Sequence, residues 1–300
     1  MKSPAFEVYR SSQTRPVTIW RVLLGLLIIG VCWLATSVLA GLPALLGADT
    51  DVATYFASRL GTLITLASFA GIWIGVWIAS RLIHKEPLAD VLGATGRLNY
   101  RDFAKGFAAV AITSLLSEIL IYGLEPRFER TDLPFATWLI FAIPVLAFCF
   151  VQTSAEELLF RGYLPRHLAN RFRSPWVWAL LPSVAFICLH LSPGMQASQI
   201  LLVTVSIGIL TALMMFTVWL TGNLGAAFGI HMGNNLFSFA LVAHQEEFSG
   251  LALFRGVPVN EPGMSGWFAF SLVAIGVVCV SLTALLLLHA RSPLRISNGS

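Results

Sequence analysis

Residues 135–161 read FATWLIFAIPVLAFCFVQTSAEELLFR, an apolar run that ends in two adjacent glutamates followed, four positions on, by an arginine. At ~1.5 Å per residue, a helix of this length crosses the ~30 Å hydrocarbon core of a bilayer. A charge at that depth costs about 2.5–3.5 kcal/mol on the mildest scale, so charges there are usually retained for a function. The stretch therefore predicts a membrane helix that carries a functional site.

The composition extends this prediction to the whole chain of 300 residues, of which 57% are hydrophobic and 11% charged. A soluble domain carries roughly 25% charged residues. Backbone groups in lipid must pair within their own segment, so the membrane segments are expected to be helices. We therefore predict an all-α, polytopic membrane helical bundle of about eight transmembrane helices. The apolar stretches lie at 17–41, 60–83, 103–124, 135–160, 176–191, 199–221, 224–243 and 267–289.

Lysine and arginine are concentrated in alternate loops, whereas the opposite loops are neutral or acidic. This is the positive-inside pattern, and it places both termini in the cytoplasm. The formal net charge of +4 is explained by topology, and no nucleic-acid partner is expected. We expect a multi-pass protein of the bacterial inner (plasma) membrane. The basic groups are Lys2, Arg10, Arg15 and Arg21; Arg81, Lys85, Arg97, Arg101 and Lys105; Arg166, Arg171 and Arg173; and Arg291 and Arg295.

The domain organisation is expected to be simple. A single transmembrane domain spans 17–290, between a cytoplasmic tail at 1–16 and a second cytoplasmic tail at 291–300. Residues 17–41 are interpreted as a retained span, because no small-residue cleavage site follows a short apolar core. The basic patch at 166–173, which includes His167, is expected to contact anionic lipid headgroups.

Spacing along the fourth helix suggests different tasks for the two glutamates. Glu157 and Arg161 are four residues apart and share a helix face, which is the favoured order for an ion pair. Glu156 is turned about 100° away and is left free to hold a water molecule. The alternative to a catalytic role is a buried ion pair that only holds the helices of the bundle together.

A second prediction concerns the hairpin formed by the fourth and fifth helices, with its turn at 171–175. Glu156 lies about 17 residues before this turn and His190 about 16 residues after it, so both reach a similar height, about 25 Å from the turn. The two side chains are therefore expected to meet. The alternative for His190 is a hydrogen-bonded core residue.

His231 and Asn235 share one face of the seventh helix, beside a glycine stripe at Gly225, Gly229 and Gly233 that permits close helix packing. An imidazole and a carboxamide can donate two hydrogen bonds to a developing oxyanion. A polar pair that joins helices is the other interpretation. Glu118, in the third helix, is expected at a similar depth and is a candidate for the same cavity.

Together these residues resemble the three motifs of the CAAX prenyl endopeptidase and bacteriocin-processing (CPBP, Abi) family of intramembrane proteases. The resemblance covers 135–243, and the remaining spans match only in being helical. The motifs are Glu156-Glu157-x-x-x-Arg161, Phe186-x-x-x-His190 and His231-x-x-x-Asn235.

The resemblance implies an eight-helix bundle with a water-filled cavity and a set of residue roles. Glu156 would activate water together with His190, with Glu157 and Arg161 in support. His231 and Asn235 would stabilise the oxyanion.

This implies an endopeptidase that cleaves a peptide or protein substrate, lipidated or not, near the cytoplasmic face of the bilayer. We favour glutamate-activated water without a metal or other cofactor; the alternative is zinc held by Glu156, His190 and His231, three ligands with water in the fourth position. Two other function classes stay open: a catalytically silent immunity or scaffold protein, and a proton-coupled transporter.

Overall fold

The computed structural model describes residues 3–13, 15–46, 52–258 and 265–297, so parts of the two predicted tails and of two loops lie outside the described residues. The α-helices are α1 (Pro4–Ser11), α2 (Ile19–Leu46), α3 (Val52–Ala57), α4 (Arg59–Ser68), α5 (Ala70–Ile78), α6 (Ala89–Leu92), α7 (Tyr100–Leu124), α8 (Phe135–Glu157), α9 (Leu164–Arg171), α10 (Leu181–Cys188), α11 (Ala197–Thr221), α12 (Gly225–Ala240) and α13 (Gly266–Leu288). Three π-helical segments, Ala79–His84, Leu158–Tyr163 and Trp176–Leu180, and a 3₁₀ helix, Glu246–Leu251, complete the helical structure of this part of the chain.

Each of the eight predicted apolar stretches coincides with a helical segment, and the all-α membrane bundle is confirmed. Within the described ranges, six helical segments are long and apolar enough to cross a bilayer. The fifth and seventh stretches form the shorter helical segments Trp176–Cys188 and Gly225–Ala240. The six long segments are Ile19–Leu46, Arg59–His84, Tyr100–Leu124, Phe135–Arg171, Ala197–Thr221 and Gly266–Leu288.

The fourth helix continues past the glutamates, as predicted, and ends at Arg171. Directly after Glu157 it widens into the π-helical segment Leu158–Tyr163, which closes with a bond from the Leu164 amide to the Leu159 carbonyl. π-helical turns inside α-helices occur frequently at functional sites. The widened turn lies between the motif glutamates and the end of the helix at Arg171.

The glycine stripe of α12 packs against α7. A Cβ on Gly225 would lie 2.3 Å from the Asn99 carbonyl oxygen, and one on Gly229 would lie 2.0 Å from the Phe103 carbonyl oxygen. Only glycine allows the two backbones to come this close. Both contacts advance by four residues on each helix, so α7 and α12 run parallel. His231 lies on another face of α12 and contacts α8.

A three-stranded sheet that the sequence did not indicate joins two loops at the end of the bundle where α7 ends and α8 begins. Its strands are β1 (Glu129–Arg130), β2 (Val242–Ala243) and β3 (Phe254–Arg255), in the order β1-β3-β2. β3 pairs antiparallel with β1 and parallel with β2. The sheet holds the segment that follows α12 next to the loop that connects α7 to α8.

The structure corrects one expectation about the basic patch at 166–173. Arg166 and His167 are fully buried rather than facing lipid headgroups, and both contact Glu86, at 2.7 Å and 3.0 Å. Burial alone would raise the pKa of Glu86, but His167 and Arg166 outweigh it and hold that pKa at about 2. Arg166 also donates to the Tyr9 carbonyl, so it attaches the N-terminal helix α1 to the bundle.

Candidate active site

The predicted ion pair between Glu157 and Arg161 is present, and both side chains are fully buried. Arg161 Nη1 lies 2.7 Å from Glu157 Oε1. The other end of the guanidinium donates to the Thr211 hydroxyl at 3.0 Å, and its Cζ lies 4.2 Å from the centre of the Phe186 ring. Three helical segments therefore hold Arg161 in one orientation, and a fixed cation neutralises Glu157.

His231 lies between the two glutamates. Its Nδ1 is 2.7 Å from Glu157 Oε1, and its Nε2 is 3.4 Å from Glu156 Oε2. Because Glu157 is already paired with Arg161 and can only accept a hydrogen bond, Nδ1 carries the proton in this contact. The carboxylate thus fixes the tautomer of the imidazole, as an aspartate does in a serine protease triad, and Nε2 is directed towards Glu156.

Glu156 itself is held loosely. Its side chain is 11% exposed, and the buried oxygen Oε2 has no hydrogen-bond partner among the residues that the structure describes. A buried carboxylate oxygen without a partner is costly. Glu156 also lines the neighbouring cavity, so the exposed part of its side chain can meet a molecule that enters it.

His190 lines the same cavity as Glu156, on the opposite arm of the predicted hairpin. Its Nδ1 lies 2.9 Å from the Phe186 carbonyl, to which it must donate, so Nε2 is left as the free nitrogen. No hydrogen bond or ion pair joins His190 directly to Glu156 in the described part of the chain. The hairpin brings both to one cavity but not into contact.

Asn235 faces α8 one turn before the glutamates. Its Nδ2 donates to Gln152 Oε1 at 3.0 Å, and its Oδ1 accepts from Asn234 Nδ2 at 3.0 Å. Asn235 and His231 lie on the same face of α12, as predicted, and both line the cavity. The carboxamide therefore already has partners on both of its ends.

The cavity has a volume of about 700 Å³ and is lined by apolar side chains of α10, α11 and α13 opposite a polar stripe on α12. It extends to Glu118 on α7. From the parallel register of α7 and α12, Glu118 lies about 20 Å beyond the level of His231 along the helix axis. The expectation that Glu118 lies at the depth of the motif residues is therefore wrong, although it belongs to the same cavity.

Glu118 is paired with His244, which the sequence did not single out. His244 Nε2 lies 3.1 Å from Glu118 Oε2, and Nδ1 lies 2.8 Å from the Val257 carbonyl. Two acceptors face the two ring nitrogens, so the ring carries both protons or shares one with Glu118. Burial lowers the pKa of His244, but Glu118 and the Val257 carbonyl outweigh it and raise the pKa above its ordinary value of 6.5.

The stability that this pair contributes should depend on pH. With a raised pKa in the folded state, the contribution is complete below pH 6.5 and is lost as the pH rises through the folded pKa. We expect the difference in thermal midpoint between the wild type and His244→Asn in detergent to shrink between about pH 6 and about pH 9. A difference that is constant over this range would contradict the assignment.

The residues proposed as zinc ligands do not form a metal site in this arrangement. Within the described residues, no group of three or more His, Cys, Asp or Glu side chains is placed to hold a metal ion. Glu156 and His231 are adjacent, but His190 is not close enough to complete a set of three.

Four residues that contact the candidate side chains were not predicted. Gln152 had a signal, since it is a polar residue four positions before Glu156 in an apolar run. Thr211 and Asn234 had no distinctive spacing, and His244 falls outside the predicted spans. Only the packing of the helices shows these contacts.

Comparison with known proteins agrees with the motifs. Residues 135–237 match the model of a family described as type II CAAX prenyl endopeptidase Rce1-like. The uncharacterized protein YyaK of Bacillus subtilis (strain 168) is 27% identical over 213 residues, which are 68% of this chain and 68% of YyaK. No solved structure matches the chain.

The resemblance to the CAAX prenyl endopeptidases is thereby confirmed over 135–237, a segment that includes all six motif residues with assigned roles. The match, together with the apolar helices, supports an integral membrane protease of the CAAX type.

Proposed function

We propose that the protein is an intramembrane endopeptidase in which Glu156 activates a water molecule. The observation that carries this proposal is the position of Glu156, whose side chain keeps 11% exposure, lines the cavity together with His190 and lies beside His231. A general base must lie within hydrogen-bond reach of the proton that it removes. Water in the cavity between Glu156 and the free Nε2 of His190 satisfies this requirement.

The reaction starts with transfer of a water proton to the Glu156 carboxylate while the water oxygen bonds to the scissile carbonyl carbon. The carbonyl oxygen becomes an oxyanion, which accepts hydrogen bonds from His231 and Asn235. The carbon–nitrogen bond then breaks, and the Glu156 carboxyl returns its proton to the leaving amine. The products are a carboxylic acid and an amine, which exchange a proton to become a carboxylate and an ammonium group.

Glu157 and Arg161 act indirectly in this scheme. Glu157 accepts a hydrogen bond from His231 Nδ1 at 2.7 Å, and Arg161 neutralises the charge of Glu157. For His231 to donate to the oxyanion, its Nε2, which lies 3.4 Å from Glu156 Oε2, must also carry a proton. The buried pair of Glu157 and Arg161 therefore fixes the orientation of the His231 ring.

The substrate class follows from the lining of the cavity. One wall presents polar groups of α12 and the other presents apolar side chains of α10, α11 and α13. A peptide or protein segment with apolar side chains, lipidated or not, matches these walls, and the description of the matching family names prenylated CAAX substrates. We place the reaction in the plasma membrane of a bacterium, with cleavage near its cytoplasmic face.

The experiment that tests this proposal compares membrane peptidomes of cells that contain the intact protein with those of cells that contain Glu156→Ala. We expect one or more membrane-protein fragments that are present with the intact protein and lost in the variant. Equal expression of both proteins in the membrane fraction is the control. Identical peptidomes under conditions of high expression would contradict proteolysis.

A further inference from the structure

Gln152 lies one helical turn before Glu156 in a chain segment whose neighbours are mainly apolar. The residue is 5% exposed and lines the cavity. Its Oε1 accepts a hydrogen bond from Asn235, whereas its Nε2 has no hydrogen-bond partner among the described residues. A buried glutamine next to a candidate base, with one end engaged and the other directed to the cavity, requires an explanation.

The partners of Gln152 form a chain of three carboxamides. Asn234 donates to Asn235, and Asn235 donates to Gln152, each at 3.0 Å. Each bond in the chain runs from an amide nitrogen to the next amide oxygen, so all of the dipoles point in the same direction. Such chains polarise their members and are more rigid than a single bond.

This direction matters for Asn235. A carboxamide that is free to rotate could present its oxygen to the cavity, where it would repel an oxyanion. With Asn234 bound at Oδ1 and Gln152 bound to one Nδ2 hydrogen, Asn235 keeps its nitrogen on the side of α8, and its second Nδ2 hydrogen remains available for donation. The orientation that oxyanion stabilisation needs is therefore supplied by Gln152.

We propose that Gln152 is a positioning residue of the active site, which fixes the Asn235 carboxamide as a hydrogen-bond donor. The inference rests on the proposed function, because a fixed donor is useful only if an oxyanion forms. Gln152 belongs to none of the three motifs. Its Oε1 accepts a hydrogen bond from Asn235, so we expect its effect on turnover to pass through Asn235.

The kinetic test is a double-mutant cycle with a synthetic peptide that spans a cleavage site found by the peptidome comparison. Gln152→Met keeps the side-chain length and removes the acceptor. Complete loss of an oxyanion donor costs about 10²–10³-fold in kcat. We expect Gln152→Met to lower kcat by at least about 10-fold but by no more than this loss, with KM little changed. In the Asn235→Ala background the same substitution should have no further effect, because its partner is already gone. Additive losses would overturn the proposal.

A second measurement does not need hydrolysis. In protein labelled with ¹⁵N-asparagine, the side-chain amide signal of Asn235 is identified by its loss in Asn235→Ala. We expect Gln152→Met to shift this signal upfield, whereas Gln152→Glu, which keeps an acceptor oxygen, should leave it in the hydrogen-bonded range. An unchanged signal in Gln152→Met would overturn the proposal. Full turnover in Glu156→Gln would instead refute the proposed function, and the amide signal would still decide whether Gln152 holds Asn235.

Discussion

Glu156→Gln is expected to reduce turnover by about 10²–10⁴-fold, the usual contribution of a general base. Glutamine has nearly the same shape as glutamate but cannot take a proton from water at neutral pH. The partly exposed side chain of Glu156, which lines the cavity, is the basis for giving this step to Glu156. The measurement is kcat of the purified protein in detergent, on a peptide identified by the peptidome comparison.

The same substitution should leave the fold intact. Glu156 Oε2 makes no hydrogen bond within the described residues, and removal of a buried charge without a full set of partners lowers the cost of burial. We therefore expect the thermal midpoint of Glu156→Gln to equal or exceed that of the wild type. Loss of activity without loss of stability is typical of a residue retained for catalysis.

The matched control is Glu125→Gln, since Glu125 is partly exposed and pairs with an exposed arginine, Arg127, at 3.0 Å. It should change neither kcat nor the thermal midpoint. Wild-type turnover in Glu156→Gln would show that another group acts as base. If Glu156→Gln also leaves the cellular phenotype unchanged, a silent immunity or scaffold role would be the better explanation.

The positions of the membrane helices were predictable because the bilayer imposes a simple rule. Each span must be apolar and about 20 residues long, and the eight apolar stretches found in the sequence are all helical. The Glu157–Arg161 pair was predictable for a similar reason, since residues four apart on one helix are neighbours whatever the tertiary structure.

Contacts between helices could not be predicted from such local rules. Spacing placed His190 and Glu156 at one height, but it could not show that His231 bonds to Glu157 or that Asn235 bonds to Gln152. Those contacts depend on the rotation of α12 against α8, which the packing of its glycine stripe on α7 sets. Arg166 looked like a surface residue because its partner, Glu86, is 80 positions away.

The largest effect on stability is expected from Arg161→Met. Arg161 is fully buried and is bound by Glu157, Thr211 and the Phe186 ring. Its removal leaves the Glu157 carboxylate buried without its cation, and breaking a buried ion pair from one side costs about 3–5 kcal/mol. We expect a decrease of this size in the free energy of unfolding, measured by denaturant titration in detergent.

Two further variants separate charge from geometry. Arg161→Lys keeps the charge but loses the planar guanidinium that reaches Thr211 and stacks on Phe186, so its stability should lie between those of the wild type and Arg161→Met. The double variant Arg161→Met with Glu157→Gln removes both charges and keeps an acceptor for His231, so it should recover most of the lost stability. Arg173→Met, at an exposed arginine, should change the free energy of unfolding by less than about 0.5 kcal/mol.

The double variant also tests the catalytic part of the proposed mechanism. The neutral carboxamide that Glu157→Gln introduces would still accept a hydrogen bond from His231 Nδ1, but the negative charge beside the ring is gone. Stability should therefore return while kcat remains low. If stability and turnover return together, Glu157 and Arg161 serve only to hold the helices in place. If neither returns, the three-helix contact around Arg161 depends on the shape of the guanidinium more than on its charge.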